Sequence, residues 1–553
     1  MSAHATTPSA DVIPWLTYRS LLLGSLQVLA VLCMLAQVAI DPSADNLECS
    51  ALVLASSTLM LQYLWRSEAM TTHPLSSLAL LGFTASSQLV AFISQTVELA
   101  PFIQHLRAPL LTFSVLAVAH VTAVAAHFAY RHFQPLGGSA TFLAEKVLAP
   151  LNIHRVPTPE AIWLLGAVGF AGLTLGVGGG VSGEVGGKFL HGLSFLVWLP
   201  FMLPLFRDLQ GSAYLRLRTH LPFLVLWALM IAAVALAKNH RATMLVGPIQ
   251  LALVFLVYKC RGNQPISRSL IKGMPVAVVL MALLMPQISD LLLSMQLARD
   301  KRGTISKYEQ LVETFEVFKD KNRLAISREL AVDTLSTTLY DETYLSNTAL
   351  TRFTETKFHD NMLYFGQHFT EADTRGLVLH QLDRAVALLP QNVLDVFDIK
   401  LDKISAMSYS NGDYYIHRAI GAPLGALVTG SMWADLYVLA GLWMPFAAAI
   451  MFWLVFIALD CLSRFGPGQF ISPMALCTAY MIYLHGLTGE SIFMKFAFVT
   501  RGTLQPILLY AICLAVTAFL LQLFRKSAWV QEVPSASGGE PSGEPASAFT
   551  IHR

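Results

Sequence analysis

Apolar residues run along this chain in blocks of about twenty, divided by short polar turns, until one long polar stretch breaks the pattern. A helix needs about 20 apolar residues to cross ~30 Å of hydrocarbon. Blocks of that kind lie at roughly 17–40, 49–65, 75–95, 108–130, 160–178, 188–206, 219–237, 242–259, 273–297, 433–459, 471–487 and 503–524, which predicts twelve spans. Only Lys238 to Arg241 separates the seventh from the eighth, and the fifth runs into Gly178-Gly179-Gly180. Between the ninth and tenth the chain is polar from about Arg299 to Trp433. Joining two helices requires nothing so long. The expectation is an all-α integral membrane protein of about 12 transmembrane helices with one large, mainly helical external loop. Its parts would be a membrane domain at 1–297, a loop or cap at 298–432, a second membrane segment at 433–526 and a tail at 527–553.

Composition narrows the class. The chain of 553 residues is 55% hydrophobic and 13% charged, whereas soluble domains average about a quarter charged. The net charge of +2 by itself says nothing about nucleic acid, but there is no basic patch interleaved by aromatics, so no nucleic-acid partner is expected. The six cysteines fall in or beside apolar blocks and none in the long loop, so no disulfide framework or metal-ligand spacing is present and no cofactor is expected. Met1 to Pro14 lacks a basic n-region and a cleavage site, so the first block reads as a retained span. The tail from Val533 is rich in Ser, Gly, Pro and Glu and reads as disordered.

Charge orients the spans. Arg66, Arg131, Lys146, Arg155, Arg207, Arg216, Arg218, Lys259, Arg261, Arg268, Lys272, Arg464, Arg525 and Lys526 fall in one alternating set of turns. The other set is poorer in cations and includes the acidic turn Asp41–Glu48. The positive-inside rule places the first set and both termini in the cytoplasm, and the long loop outside, periplasmic in a cell inner membrane.

The loop carries 15 Lys/Arg and 18 Asp/Glu, so it is solvated without being a polyelectrolyte. Ser306 to Lys319 and Leu377 to Leu389 have apolar residues at helical spacing. Its middle gathers Arg352, Glu355, Lys357, His359, Asp360 and Tyr364, followed by His368 and Arg375. Arginine grips phosphate bidentately, aromatic faces suit sugar rings, and a His or carboxylate takes a proton from a hydroxyl. Arg352, Glu355 and Asp360 would equally pair with one another on a solvated helix face. Tyr414-Tyr415-Ile416-His417-Arg418 forms a second cluster before the tenth span.

Ionisable residues at the outer span ends are further candidates, because such groups are costly in a membrane. They are Glu184, Lys188 and His191, His240 with Arg241, Asp290, Asp435, His485 with Glu490, and Arg501. Arg241 sits in a four-residue turn at the depth of a lipid-anchored pyrophosphate, with Lys238 and His240 as further donors. It also fits a plain interfacial anchor. His120, near the middle of the fourth span, reads as a hydrogen-bonded helix contact.

Three short stretches carry a resemblance. Lys238-Asn239-His240-Arg241-Ala242 resembles the Ser-Arg-Gly-type outward turn of the O-antigen polymerases, the integral-membrane repeat-unit polymerases. Ala434-Asp435-Leu436-Tyr437 through Gly441 resembles the Asp-x-Tyr…Gly opening of the span after that family's large loop. Thr500-Arg501-Gly502 resembles the Arg-Gly that starts its last span. The turn Gly179 to Lys188 departs from the pattern in having no arginine.

The resemblance implies a metal-independent glycosyltransferase that moves a growing glycan from polyprenyl pyrophosphate to a lipid-linked repeat unit. On that reading His359, then Asp360 or Glu355, is the base. Arg241, His240, Arg352, Arg418 and Arg501 hold pyrophosphate, and Tyr364, Tyr414 and Asp435 meet the glycan. Partners would be the lipid-linked oligosaccharide, membrane lipid, a chain-length regulator and a flippase. O-antigen ligases share the layout and differ in acceptor. A lipid-linked oligosaccharide flippase is the alternative from another class.

Overall fold

The structure, a computed structural model, describes residues 12–13, 15–133, 138–176, 185–204, 217–262, 266–298, 306–334, 340–342, 344–347, 350–389, 391–464, 471–524 and 527. It is helical except for a short antiparallel pair, Val12–Ile13 with Ile266–Ser267, and an isolated bridge between Ser463 and Ile471. Among the described residues, 7 helical stretches are long and apolar enough to cross a membrane: Arg19–Ile40, Ala44–Arg66, Pro74–Val97, Pro109–Phe133, His220–Ala237, Met432–Asp460 (counted through its bend at Gly441) and Ile492–Leu523. Pro159–Leu175, Phe189–Met202 and Val246–Val257 are shorter apolar helices.

Pro74–Val97 is the central member. Its apolar window is 83% buried, against 22–44% in the other six. A Cβ at Gly82 would lie 1.8 Å from the Tyr483 carbonyl oxygen, so only glycine lets these backbones cross there. Residues Ala85–Leu89 of this helix form a π-turn. Such turns reroute backbone groups and concentrate at functional sites.

Two expected spans take another shape. The apolar block 433–459 predicts one membrane span. The rings of Trp433 and Phe452 lie 5.8 Å apart, whereas nineteen residues of straight helix would separate them by ~28 Å. The segment is a hairpin, with arms Met432–Ala440 and Met444–Asp460 and a bend at Gly441, whose φ is +52°. A left-handed φ is easy for glycine alone. The block 471–487 is broken into Pro473–Cys477 and Ala479–His485. Gln250 fills the break: its amide donates to Leu476 O, and its side-chain oxygen accepts Tyr480 N–H at 2.7 Å.

The polar stretch folds into short helices: Lys307–Lys319, Lys321–Thr334, Thr356–Gly366, Glu371–Ala387, Gln391–Val396, Lys403–Ala406 and Asn411–Ile420. Ser306 with Glu309, Thr370 with Asp373, and Ser410 with Asp413 form capping boxes at three of them.

Candidate active site

The π-turn sets how deep the polar stretch enters the bundle. Glu355 N–H donates to Ser86 O at 3.0 Å, and Thr356 Oγ1 donates to Ser87 O at 2.9 Å. Ser86 lies eleven residues before Val97, so Glu355 sits ~16 Å below the end of that helix, near its middle. From there Thr356–Gly366 climbs back to the bundle end. Asp360 fastens it by accepting Arg107 N–H at 2.7 Å, Ala108 N–H at 2.8 Å and the Thr112 hydroxyl at 3.3 Å. Lys357 donates to His105 O.

The other wall comes from the end of Ala479–His485 and the turn behind it. Lys495, wholly buried, holds that turn by donating to the carbonyls of His485, Gly486 and Thr488, the last at 2.5 Å. Met432 N–H donates to Gly489 O at 2.9 Å, which joins the hairpin to the same turn.

Four side chains meet at the bottom. Glu355 Oε2 accepts the Thr488 hydroxyl at 2.5 Å. His485 Nδ1 is 3.5 Å from Glu355 Oε1, and His359 Nε2 is 3.8 Å from Oε2. His359 Nδ1 meets Ser431 Oγ at 2.9 Å. That oxygen also accepts Ala434 N–H, so the tautomer with the proton on Nε2, facing Glu355, satisfies every partner. A cavity of about 440 Å³ opens above this floor. Glu355, His359 and His485 line it below, with Arg328, Glu342, Thr351 and Glu490 around it.

Electrostatics separates the roles. Burial pushes the Glu355 carboxyl up, but the hydrogen bond and charge of His485 and the Thr488 hydroxyl hold it below the ordinary glutamate range. It is therefore an anion at neutral pH. Burial pushes His359 down to about 4, only partly opposed by Glu355, so this imidazole is neutral. Burial raises Asp360 even though two backbone N–H groups favour its charged form.

The expected site residues fall into three groups. Glu355 and His359 meet at the cavity, joined by His485 and Glu490. Others already have structural partners. Asp360 caps the helix that starts at Pro109. Asp435, wholly buried, accepts from Asn411 at 2.6 Å, Gln381 at 2.9 Å, Ile492 N–H at 3.0 Å and Tyr415 at 3.1 Å. It has no oxygen turned outward for a glycan. Arg418 donates to Asp373 at 2.5 Å, and Tyr414 donates to Asp373 O at 2.8 Å. The Tyr364 ring lies 5.4 Å from the Arg107 guanidinium. Exposed Arg501 donates to Gln505 at 3.1 Å, and His240 Nδ1 is 3.3 Å from Thr243 Oγ1. Third, Arg241 opens the helix Arg241–Gly262 and Arg352 lies in the turn Leu350–Phe353, but both side chains fall outside the described residues, as does Glu184.

Sequence reasoning missed Thr488, Ser431 and the role of Lys495. Only Lys495 had a usable signal, a lone cation beside an apolar run. No family model, curated protein or solved structure matches this chain.

Proposed function

We propose that this protein is a metal-independent glycosyltransferase of the polymerase type, with Glu355 as its base. It would act at the outer face of the cell inner membrane, with twelve spans, cytoplasmic termini and the polar stretch outside. One observation carries this reading: a carboxylate, flanked by two imidazoles and a hydroxyl, at the floor of a cavity sunk into the bundle.

In the proposed step an acceptor sugar hydroxyl gives its proton to Glu355, and its oxygen attacks the anomeric carbon of the donor. The bond from that carbon to the pyrophosphate oxygen breaks, and the lipid pyrophosphate leaves with the electron pair. Attack opposite the leaving group inverts the anomeric centre. Neutral His359 and the Thr488 hydroxyl orient the carboxylate. Charge on the leaving pyrophosphate is met by cations, for which Arg241 and Arg352 are the candidates, together with Arg328 if it leaves its pairing with Asp290. A ligase would run the same step on a sugar of a lipid A core.

The test is to delete the gene and complement with wild type, Glu355→Gln or Arg241→Ala, then run the surface glycans on a gel. Wild type should restore a long ladder, and Glu355→Gln should leave single repeat units at unchanged protein level. Full glycan left on its lipid carrier would move the acceptor to that of a ligase. A glycan profile unaffected by deletion would overturn the whole glycan reading, the oligosaccharide flippase included, and make transport of another substrate the leading reading.

A further inference from the structure

A second buried carboxylate stands at the opposite end of the bundle, and the mechanism above does not use it. Asp460 closes the hairpin arm Met444–Asp460 and is wholly buried. Its Oδ2 accepts the Ser76 hydroxyl at 2.7 Å, and its Oδ1 accepts Ser76 N–H at 3.2 Å. Ser76 Oγ lies 2.9 Å from His127 Nε2, and His127 Nδ1 lies 2.7 Å from the Tyr63 hydroxyl. Three hydrogen bonds thus connect four helices, from a sealed carboxylate to a half-buried phenol.

The chain has one polarity. With Asp460 ionised, Ser76 must donate to it, so Ser76 Oγ accepts from His127 Nε2–H. His127 Nδ1 is then bare and accepts from Tyr63. Every proton already points toward the carboxylate. Every intermediate member both donates and accepts, which a plain structural tie does not need.

We propose that Asp460 is a proton-binding site loaded from this end of the bundle through Tyr63, His127 and Ser76. The step balances: Ser76 passes its proton to Asp460, His127 passes its Nε2 proton to Ser76, and Tyr63 passes its own to Nδ1. Tyr63 regains one from water. The positive charge of Arg131, whose guanidinium donates to Thr72 at 3.4 Å, would stabilise the transient phenolate. Other groups facing the site are His73, whose ring is 6.2 Å from that of His127, and Tyr130, 5.4 Å from the Phe456 ring. On the chain just after Asp460 lie Cys461 and, bonded to its carbonyl at 3.1 Å, His154. Protonation would release Ser76 and loosen the junction between Pro74–Val97 and the hairpin, so the bundle would carry a proton-coupled step. This inference stands apart from the glycan reading.

The experiment is infrared difference spectroscopy on the full chain in lipid nanodiscs, stepped from alkaline to acidic buffer. A protonated-carboxyl band should grow, vanish in Asp460→Asn and shift in frequency in Asp460→Glu, which covers the case of an Asn variant that does not fold. Tyr63→Phe and His127→Leu should keep the final band but slow its growth by an order of magnitude. A band that survives in Asp460→Asn, or that keeps its frequency in Asp460→Glu, would overturn the site. Loading at the wild-type rate in both relay variants would overturn the route.

Discussion

Glu355 and Asp435 are both carboxylates near the junction of the polar stretch and the bundle, yet they are built for different work. Asp435 has four donors in a sealed knot that ties Glu371–Ala387, Asn411–Ile420, the hairpin and the helix beginning at Ile492. Glu355 has one short hydrogen bond, two longer approaches by imidazoles and an open side on a cavity. A carboxylate with every lone pair taken holds a fold together. One left partly unsatisfied beside a cavity is available to a ligand. Residue type and location in the sequence do not distinguish the two.

The largest effect that would break this comparison is expected at Asp435. Asp435→Ala orphans four buried donors at about 1–3 kcal/mol each. The variant should fail to accumulate, or should melt far below wild type in detergent; a folded, glycan-defective Asp435→Ala would erase the distinction. Next comes Glu355→Gln, which keeps shape and loses the base. Transfer should fall roughly 10²- to 10⁴-fold with melting temperature little changed, as read by an in vitro polymerisation assay beside thermal unfolding. Smaller again is Gly82→Ala, whose added Cβ meets Tyr483 O at 1.8 Å; overpacking of this kind costs about 1–3 kcal/mol, measurable as a lower melting temperature.

The pH profile sharpens the same contrast. Glu355 is held below its ordinary range, so the base form persists as pH falls from neutral and is lost only below the ordinary glutamate range. The stability that this depression contributes is likewise present at neutral pH and lost as pH drops through the folded-state value. An acidic limb centred near 6.5 in the rate profile would hand the role to an imidazole of ordinary pKa. The smallest effect is expected at Arg418→Ala. Arg418 is exposed, and Asp373 keeps its hydrogen bonds from Thr370 without it, so neither glycan length nor melting temperature should move measurably.

Much of the fold was legible because its signals are local. Blocks of some twenty apolar residues mark the spans, and apolar residues at helical spacing over Ser306–Lys319 and Leu377–Leu389 mark loop helices that the structure shows to be capped at Ser306 and Thr370. The hairpin was not legible, because an unbroken apolar run looks alike whether it crosses once or bends at Gly441. At the site, the cluster Glu355-His359 was visible as a concentration of polar types. The separation of Glu355 from Asp360 was not. Asp360 is consumed by backbone N–H groups of Arg107 and Ala108, some 250 residues earlier.

By itself the sequence determined a helical membrane protein with one long polar insertion, since hydrocarbon thickness and helix rise admit little else for such apolar blocks. Only the tertiary structure decided that this insertion dives to the middle of Pro74–Val97 on the carbonyls of a π-turn. It also decided which buried carboxylates are saturated and which face a cavity. Those outcomes depend on contacts between residues hundreds of positions apart, and no local pattern of polarity encodes them.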